Sequence, residues 1–220
     1  MNDVKIKLEK YIEHTLLKPD ATEGEVKKLV NEAIKHDFLG ICINPIHIEY
    51  AKRLIAGSNV KIVTVIGFPL GANLPEIKEF EAQRAIQYGA DELDMVINIG
   101  AIKDKLYAKA EEDIKAVVTM AEQIPVKVIL ETDLLTREEI AEACKICINA
   151  GAKFVKTSTG FVKGGVGATV ENIELMHEIV SPYGLEVKAS GGIKDKESAI
   201  KLIEAGASRI GTSSGIAISS

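Results

Sequence analysis

The sequence contains 220 residues, of which 46% are hydrophobic and 27% charged, and its formal net charge is −5. This length suffices for one domain with a sizeable core, and the composition is ordinary for a soluble globular protein. The acidic balance, the absence of tryptophan and the low aromatic content argue against nucleic-acid binding, and no apolar run of about 18 residues predicts a membrane span.

Short β-like runs alternate with amphipathic helical stretches along the chain. The β-like runs are predicted at residues 11–15 (a weak pattern), 39–43, 60–66, 92–98, 126–131, 153–158, 185–189 and 209–211. Helices are predicted between them at residues 23–35, 75–88, 105–123, 137–150, 170–180 and 196–204. This alternation predicts a parallel sheet whose strands are connected by helices.

The predicted helices carry start and stop signals. Two Thr-Glu pairs have capping-box spacing: Thr22 with Glu25, and Thr136 with Glu139. A Gly-Ala pair closes three helices, at residues 89–90, 151–152 and 206–207. Glycine in this position supplies a left-handed C-terminal cap before the next strand.

Eight strand–helix units in one domain of residues 1–220 predict an α/β fold, a closed (β/α)8 TIM barrel near the short end of its usual range. An open doubly wound sheet is the structural alternative. A dinucleotide-binding version of that sheet lacks support, because no G-x-G-x-x-G motif follows the first strand.

Charged residues recur on one face of several predicted strands. Alternate residues of a strand point to opposite faces, so charges lie inside the barrel if helices cover the apolar face. Interior charges need partners. Four candidates for one network lie late in their strands: Asp94, Glu131, Lys156 and Lys188. Three further residues are candidates for a lower layer: Glu92, Lys127 and Glu186.

Two lysines lie in short apolar runs that end in small polar residues and glycine: Lys156, before Thr-Ser-Thr-Gly, and Lys188, before Ala-Ser-Gly-Gly. Burial disfavours the charged form of an amine and a second nearby cation lowers its pKa further, which makes a lysine nucleophilic. Because the two lysines are one strand–helix unit apart, we expect their strands to be neighbours. The pair predicts Schiff-base chemistry on a carbonyl substrate. The alternative is that both are structural cations balancing Asp94 and Glu131.

Glycine-rich segments follow the last two predicted strands. They are residues 190–192 (Ser-Gly-Gly) and 211–215 (Gly-Thr-Ser-Ser-Gly). Barrels of this kind commonly bind phosphate at the loops after strands seven and eight, on backbone N–H groups. Each loop alone is more often a turn, but the two positions together favour a phosphorylated substrate.

The sequence gives little support for a metal site. Its four histidines are scattered, and no H-x-H or H-E-x-x-H motif occurs. Cys144 and Cys147 form a C-x-x-C inside a predicted helix, where they are best interpreted as neighbours on one turn, and Cys42 ends an apolar strand with no assigned role. Carbon–carbon chemistry would then use an iminium electron sink. The cysteine usage and the charged residues 1–10 predict a cytoplasmic location.

Several longer motifs run in order along nearly the whole chain. They are residues 13–19 (Glu-His-Thr-Leu-Leu-Lys-Pro), 65–71 (Val-Ile-Gly-Phe-Pro-Leu-Gly), 91–98 (Asp-Glu-Leu-Asp-Met-Val-Ile-Asn), 156–160, 188–192 and 209–214. With these motifs the chain closely resembles the deoxyribose-phosphate aldolase family. The resemblance implies a class I barrel aldolase without metal or cofactor. Such an enzyme reversibly cleaves 2-deoxy-D-ribose 5-phosphate into acetaldehyde and D-glyceraldehyde 3-phosphate, in deoxyribonucleotide catabolism.

The resemblance also implies roles for individual residues. Lys156 is the implied Schiff-base nucleophile, Lys188 the second lysine that keeps it unprotonated, and Asp94 the proton-transfer carboxylate. The implied substrate-binding and phosphate-binding residues are Thr159, Gly160, Gly191, Gly192, Ser213 and Ser214. Supporting roles are assigned to Glu13, Thr157 and Glu131. The expected partners are a sugar phosphate, aldehydes and further copies of the chain in a dimer or tetramer, with neither nucleic acid nor membrane.

The sequence departs from the family pattern in the site itself. Glu13 stands where aspartate is usual before His-Thr, and Phe161 follows Thr-Gly where some members have lysine, which leaves Lys163 as the nearest cation. The sequence ends at Ser220, so no role is assigned to the longer tail, ending in tyrosine, of some members. Two alternatives stay open: a Schiff-base aldolase of another sugar phosphate, and a non-catalytic sugar-phosphate-binding barrel whose lysines are structural.

Overall fold

The computed structural model describes residues 7–220, which contain a closed barrel of parallel strands. The strands are β1 (Ile12–Leu16), β2 (Gly40–Ile43), β3 (Lys61–Ile66), β4 (Glu92–Val96), β5 (Val126–Ile129), β6 (Phe154–Lys156), β7 (Glu186–Ser190) and β8 (Ala207–Thr212). Because β8 pairs with β1, the barrel is closed. The predicted (β/α)8 barrel is therefore confirmed and the open-sheet alternative is wrong. Residues 1–6 of the predicted domain lie outside the described residues.

Helices pack around the barrel between successive strands. They are α1 (Glu23–Lys35), α2 (Ile48–Leu54), α3 (Pro75–Tyr88), α4 (Ile99–Lys103), α5 (Tyr107–Ala121), α6 (Arg137–Asn149), α7 (Val170–Val180), α8 (Lys196–Glu204) and α9 (Gly215–Ser219). The predicted helix at 105–123 begins only at Tyr107, because Lys105 has a φ of 57°, outside the right-handed helical region. The short helices α2, α4 and α9 are absent from the prediction, since they span too few residues for a visible periodicity.

The predicted caps are present at the helix ends. Thr22 accepts the backbone N–H of Glu25, whose carboxylate accepts the N–H of Thr22, and the Thr136 box is formed in the same way. The glycines of the three Gly-Ala pairs all have left-handed φ values: Gly89 (105°), Gly151 (80°) and Gly206 (115°). These caps stop each helix where the chain must turn back into the barrel wall.

Three strands end earlier than predicted, which changes the placement of one candidate residue. Strand β4 ends at Val96 rather than at residue 98. Strand β5 ends at Ile129 and β6 ends at Lys156. Glu131 has a φ of 60° and a ψ of 63°, so it lies in a left-handed turn after β5. The prediction that Glu131 shares the inward face of this strand is therefore wrong, because the turn interrupts the alternation.

Two apolar regions frame the barrel wall. The larger one lies between the strands and the helices and includes fully buried Leu93 and Met95. A smaller one lies on the side formed by β1 to β3: Leu17, Cys42, Val63 and Val65, with Phe68 packed against them. Most of the inward-facing charges belong to β4, β5, β6 and β7, and Glu13 on β1 joins them from across the barrel. Within residues 7–220, no helix has both the length and the apolar character needed to cross a membrane.

Candidate active site

Asp94 on β4 is the centre of the charged side of the barrel and is fully buried. Its Oδ2 accepts hydrogen bonds from the Nζ of Lys156 at 2.7 Å and the Nζ of Lys188 at 2.6 Å. Its Oδ1 accepts from the Nζ of Lys127 at 3.0 Å. The strand register explains this convergence, because Lys127 lies opposite Asp94 and Lys156 lies opposite Lys188. The expected adjacency of the two lysine strands is confirmed.

Further carboxylates lie next to this centre. Glu13 on β1 contacts the Nζ of Lys188 and lies 3.5 Å from the Nζ of Lys127. Glu92 lies 2.7 Å from the same Lys127 ammonium group. The lower layer therefore contains Glu92 and Lys127, as predicted, and the longer side chain of Glu13 bridges two of the lysines. Glu186 does not contact them directly. Its side chain is 38% exposed and lies 3.9 Å from Arg209, which in turn lies 3.8 Å from Glu13.

The charges in this cluster stabilise one another against the cost of burial. Burial alone would raise the pKa of Asp94, but the three lysines outweigh it and hold that pKa well below its ordinary value. Burial alone would lower the pKa of Lys188, but the Asp94 and Glu13 carboxylates outweigh it and raise that pKa above its ordinary value. The pKa of Lys127 is raised for the same reason. At neutral pH, Asp94 is therefore a carboxylate, and Lys188 and Lys127 are ammonium cations.

A cavity of about 340 Å³ opens at the carboxyl ends of the strands. Lys156 lines this cavity, whereas Asp94 and Lys188 lie beneath it without exposed surface. Active sites of (β/α)8 barrels occur at this end. Lys156 is therefore the amine of this cluster that a small molecule can contact.

The cavity walls contain most of the binding residues predicted from the sequence: Thr159, Gly160, Gly191, Gly192 and Ser213. Ser214 is predicted as well but does not line the cavity. The N–H of Ser214 donates to the Oγ1 of Thr212 at 2.9 Å, and the residue directly precedes α9. The two glycine-rich loops therefore meet on one wall, with Ser214 behind it.

Two lysines missed by the sequence analysis also line the cavity, Lys18 and Lys194. Lys194 could have been found, because it follows Gly191-Gly192-Ile193 directly at the predicted phosphate loop. Lys163, the cation suggested by chain proximity, is exposed and is not among the lining residues. Phe161 lines the cavity and packs edge-on against Phe68, with 5.2 Å between the ring centres.

Thr157 and Glu131 support the segment after β6. The Oγ1 of Thr157 donates to the carbonyl of Ser190 at 2.8 Å and accepts from the N–H of Ser190 at 2.9 Å. The Glu131 carboxylate accepts from the backbone N–H of Thr159 at 3.2 Å and from its hydroxyl group. Burial raises the pKa of Glu131 against the opposite effect of these bonds. Glu131 therefore hydrogen-bonds to Thr159 and makes no ion pair with the lysines of the cluster, and the charge of Lys156 acts on it only from a distance.

Cys144 and Cys147 lie apart from this cluster, whereas Cys42 is close enough to Lys188 and Asp94 for their charges to act on its thiol. Cys144 and Cys147 are buried thiols on α6, and burial raises the pKa of Cys144 to about 12 and that of Cys147 well above its ordinary value. Cys42 belongs to the apolar cluster inside the barrel. In the part of the chain that the structure describes, no three His, Cys, Asp or Glu side chains are grouped as the ligands of a metal ion would be.

A closed parallel barrel whose cavity exposes one lysine of a buried lysine–carboxylate cluster is the architecture of a barrel aldolase. Comparison with known proteins supports this class. The family model described as "DeoC/LacD family aldolase" matches residues 10–220. The chain belongs to the DeoC/LacD family of aldolases, and the resemblance drawn from its motifs is confirmed.

Similar proteins cover almost the whole chain. A deoxyribose-phosphate aldolase of Streptococcus sanguinis is 56% identical over 97% of this chain and 96% of its own length. One from Macrococcus caseolyticus is 54% identical over 96% and 94%. Among solved structures, the aldolase QR15 has a TM-score of 0.91 at 42% identity, covering 98% of this chain and 95% of its own. The tetrameric deoxyribose phosphate aldolase of Aeropyrum pernix has a TM-score of 0.88 at 35% identity, covering 96% and 89%.

Proposed function

We propose that this chain reversibly cleaves 2-deoxy-D-ribose 5-phosphate into acetaldehyde and D-glyceraldehyde 3-phosphate, as a step in deoxyribonucleotide breakdown. The observation that carries the proposal is the shared Oδ2 atom of Asp94, which joins Lys156 at the cavity to Lys188 beneath it. The similarity to curated deoxyribose-phosphate aldolases supports the substrate.

Lys156 acts as the nucleophile in this proposal. Its amine attacks C1 of the open-chain aldehyde, and loss of water gives an iminium ion. Lys188 is the fixed cation beside it, because its raised pKa keeps it charged. Its ammonium group shares the Oδ2 atom of Asp94 with the amine of Lys156.

Bond cleavage then uses the iminium ion as an electron sink. Removal of the C3 hydroxyl proton breaks the C2–C3 bond, and the electron pair moves into the iminium to give an enamine and D-glyceraldehyde 3-phosphate. Protonation of the enamine at C2 and hydrolysis release acetaldehyde and regenerate Lys156. Asp94 moves protons between these steps, a contribution typically worth about 10²–10⁴-fold in rate.

The wall made by the two glycine-rich loops takes the phosphate group. Gly191 and Gly192 have positive φ values of 88° and 76°, and Ser213 lies beside them in the cavity. Backbone N–H groups without a side chain in front of them suit a phosphate oxygen. Lys194 adds positive charge on the same cavity, whereas the ammonium group of Lys18 is paired with Glu25 at 2.6 Å. Phe161, which lines the same cavity and packs against Phe68, provides an apolar edge for the carbon chain.

Borohydride trapping tests the proposal. The protein is reduced in the presence of 2-deoxyribose 5-phosphate or acetaldehyde, and the adduct is located by intact mass and peptide mapping. We expect one adduct on Lys156, lost in Lys156→Ala and kept in Lys163→Ala, whose exposed side chain does not line the cavity. An adduct on Lys188 instead would move the nucleophile to that residue.

Trapping, combined with measurements of turnover and of sugar-phosphate binding, separates the alternative functions. Cleavage of a different sugar phosphate at a higher kcat/KM, with trapping on Lys156, would change the substrate and keep the chemistry. Binding of sugar phosphate without adduct and without turnover would favour a non-catalytic binding barrel. Turnover without any adduct would contradict the iminium mechanism.

We also propose that the enzyme is cytoplasmic, where free thiols persist, and that it forms a homo-oligomer. Leu74 (63% exposed) directly precedes α3, and Ile77 (49%) and Phe80 (60%) lie within it, which gives an apolar stripe that would suit another copy. The tetrameric relative from Aeropyrum pernix supports self-association. Light scattering should give a dimer or tetramer mass that Phe80→Lys reduces. A monomeric wild-type protein would contradict this proposal.

A further inference from the structure

The turn after β5 contacts the segment after β6 at two separate places. At the first, Glu131 holds Thr159, as described above. At the second, the Oδ1 atom of Asp133 accepts the backbone N–H of Val166 at 2.9 Å, and its Oδ2 atom accepts the N–H of Gly167 at 3.0 Å. Two carboxylates of one short turn therefore tether the two ends of the intervening loop.

This loop, residues 160–168, packs its second half against the glycines of the proposed phosphate site. A Cβ atom on Gly167 would lie 2.4 Å from the backbone carbon of Gly191, and one on Gly192 would lie 2.6 Å from the carbonyl oxygen of Val166. The two backbones are therefore in direct contact, with no room for a side chain between them. A shift of residues 166–167 would move Gly191 and Gly192 or leave them unsupported.

The conformation of the loop is not maintained by a helix or a strand. Three of its glycines have positive φ values: Gly160 (83°), Gly164 (76°) and Gly167 (78°). Glycine permits this backbone but also gives the loop much freedom in other conformations. The Asp133 carboxylate accepts two N–H groups in charge-assisted hydrogen bonds, which are stronger than neutral ones. Two constraints therefore hold the end of the loop that meets the glycines: the Asp133 carboxylate, and the hydrogen bond from the Ala168 N–H to the Gly191 carbonyl at 3.1 Å.

We propose that Asp133 is a positioning residue for phosphate binding, which holds residues 166–167 against Gly191 and Gly192. The inference rests on the proposed function, since it takes the phosphate of the substrate as the ligand of these glycines. Asp133 does not line the cavity and acts only through the loop. Its loss should therefore weaken binding of phosphate and leave the amine chemistry of Lys156 unchanged.

The test compares wild type with Asp133→Ala and Asp133→Asn. For Asp133→Ala we expect the KM for 2-deoxyribose 5-phosphate and the Kd for inorganic phosphate to rise about tenfold, the size expected for lost charged hydrogen bonds. Asp133→Asn keeps one acceptor oxygen, so its KM and phosphate Kd should lie between those of wild type and those of Asp133→Ala. The rate of borohydride trapping with acetaldehyde, which has no phosphate, should stay at the wild-type value. Asp37→Asn, an exposed aspartate paired with Lys10, is the matched control and should behave as wild type.

Two results would overturn the inference. One is an unchanged phosphate Kd in Asp133→Ala, and the other is an equal loss of acetaldehyde trapping, which would mean general damage to the barrel. Failure of the proposed function looks different, because the wild type itself would neither cleave the sugar phosphate nor form an adduct. The calorimetric phosphate titration still decides the positioning role in that case.

Discussion

Two buried lysine–carboxylate sites on this protein use the same chemical groups for different ends. One is the pair between Lys78 on α3 and Asp113 on α5, 2.6 Å apart and outside the barrel wall. The other is the cluster of Lys156, Lys188 and Asp94 inside the barrel. Lys78 also donates a hydrogen bond to the carbonyl of Val96 at 2.9 Å and does not line the cavity that contains Lys156. A buried lysine is therefore not by itself a sign of catalysis.

The two sites differ in the balance between burial and pairing. At the helix pair, burial outweighs the attraction between the two groups and their other contacts, so the pKa of Lys78 is lowered and that of Asp113 is raised. In the barrel, several opposite charges outweigh burial, so the pKa of Lys188 is raised and that of Asp94 is lowered. What distinguishes the proposed active site is the number of charges on one carboxylate and the access of Lys156 to a cavity.

The largest expected difference between the sites is in activity. Asp94→Asn should lower kcat by about 10²–10⁴-fold, because it removes the proposed proton-transfer group and the anion shared by the lysines. Steady-state cleavage of 2-deoxyribose 5-phosphate measures this loss.

The matched variant at the other site is Asp113→Asn. It changes a carboxylate of equal burial, yet kcat should stay near the wild-type value at a temperature where the variant is folded. A comparable loss of kcat in both variants would remove the functional distinction between the two sites.

The second prediction concerns stability. Lys78→Met leaves the buried Asp113 charge without its partner, which typically costs about 3–5 kcal/mol. The urea unfolding midpoint should fall accordingly, with kcat preserved. Lys115→Met removes an exposed lysine paired with Glu111 on the surface and should leave the midpoint unchanged.

Removing both charges of the helix pair should have a different effect from removing one. The double variant Lys78→Met with Asp113→Leu removes both charges of the helix pair at similar volume, and such replacements are often neutral or stabilising by about 1–4 kcal/mol. We expect it to regain the stability lost in Lys78→Met. If urea unfolding shows no recovery, the hydrogen bond from Lys78 to Val96 is the main contribution of that lysine.

The barrel cluster could be predicted from the sequence because strand alternation has a simple period. Asp94, Lys156 and Lys188 all lie on the inward face of their strands. Because buried charges need partners, these three side chains are expected to pair with one another. Lys78 could not be found in this way. Helix α3 has Lys78 buried and Phe80 exposed, the reverse of the usual amphipathic pattern, so periodicity predicts the helix but not its inner face.

The parts of the site that the sequence did not predict lie in loops. Glu131 was expected on a strand face, but its left-handed backbone turns its carboxylate toward Thr159. Lys18 and Lys194 come together at the cavity from loops 176 positions apart in the numbering (194 minus 18). No local sequence pattern predicts that these two lysines are close together, because their proximity depends on closure of the barrel between β8 and β1.

The smallest predicted effect is the pH dependence of stability, where the two aspartates should show opposite signs. The folded pKa of Asp94 is depressed, so its contribution is present above the ordinary value of 3.8 and is lost as pH falls through the folded pKa. The folded pKa of Asp113 is raised, so its contribution is present below 3.8 and is lost as pH rises through the folded pKa. Urea unfolding should be measured for wild type and both variants from pH 7 to pH 3. As the pH falls, the free energy of unfolding of wild type should decrease relative to that of Asp94→Asn and increase relative to that of Asp113→Asn. Each change should be at most about 1.4 kcal/mol per pH unit. The same sign for both variants would mean that burial and pairing are balanced alike at the two sites.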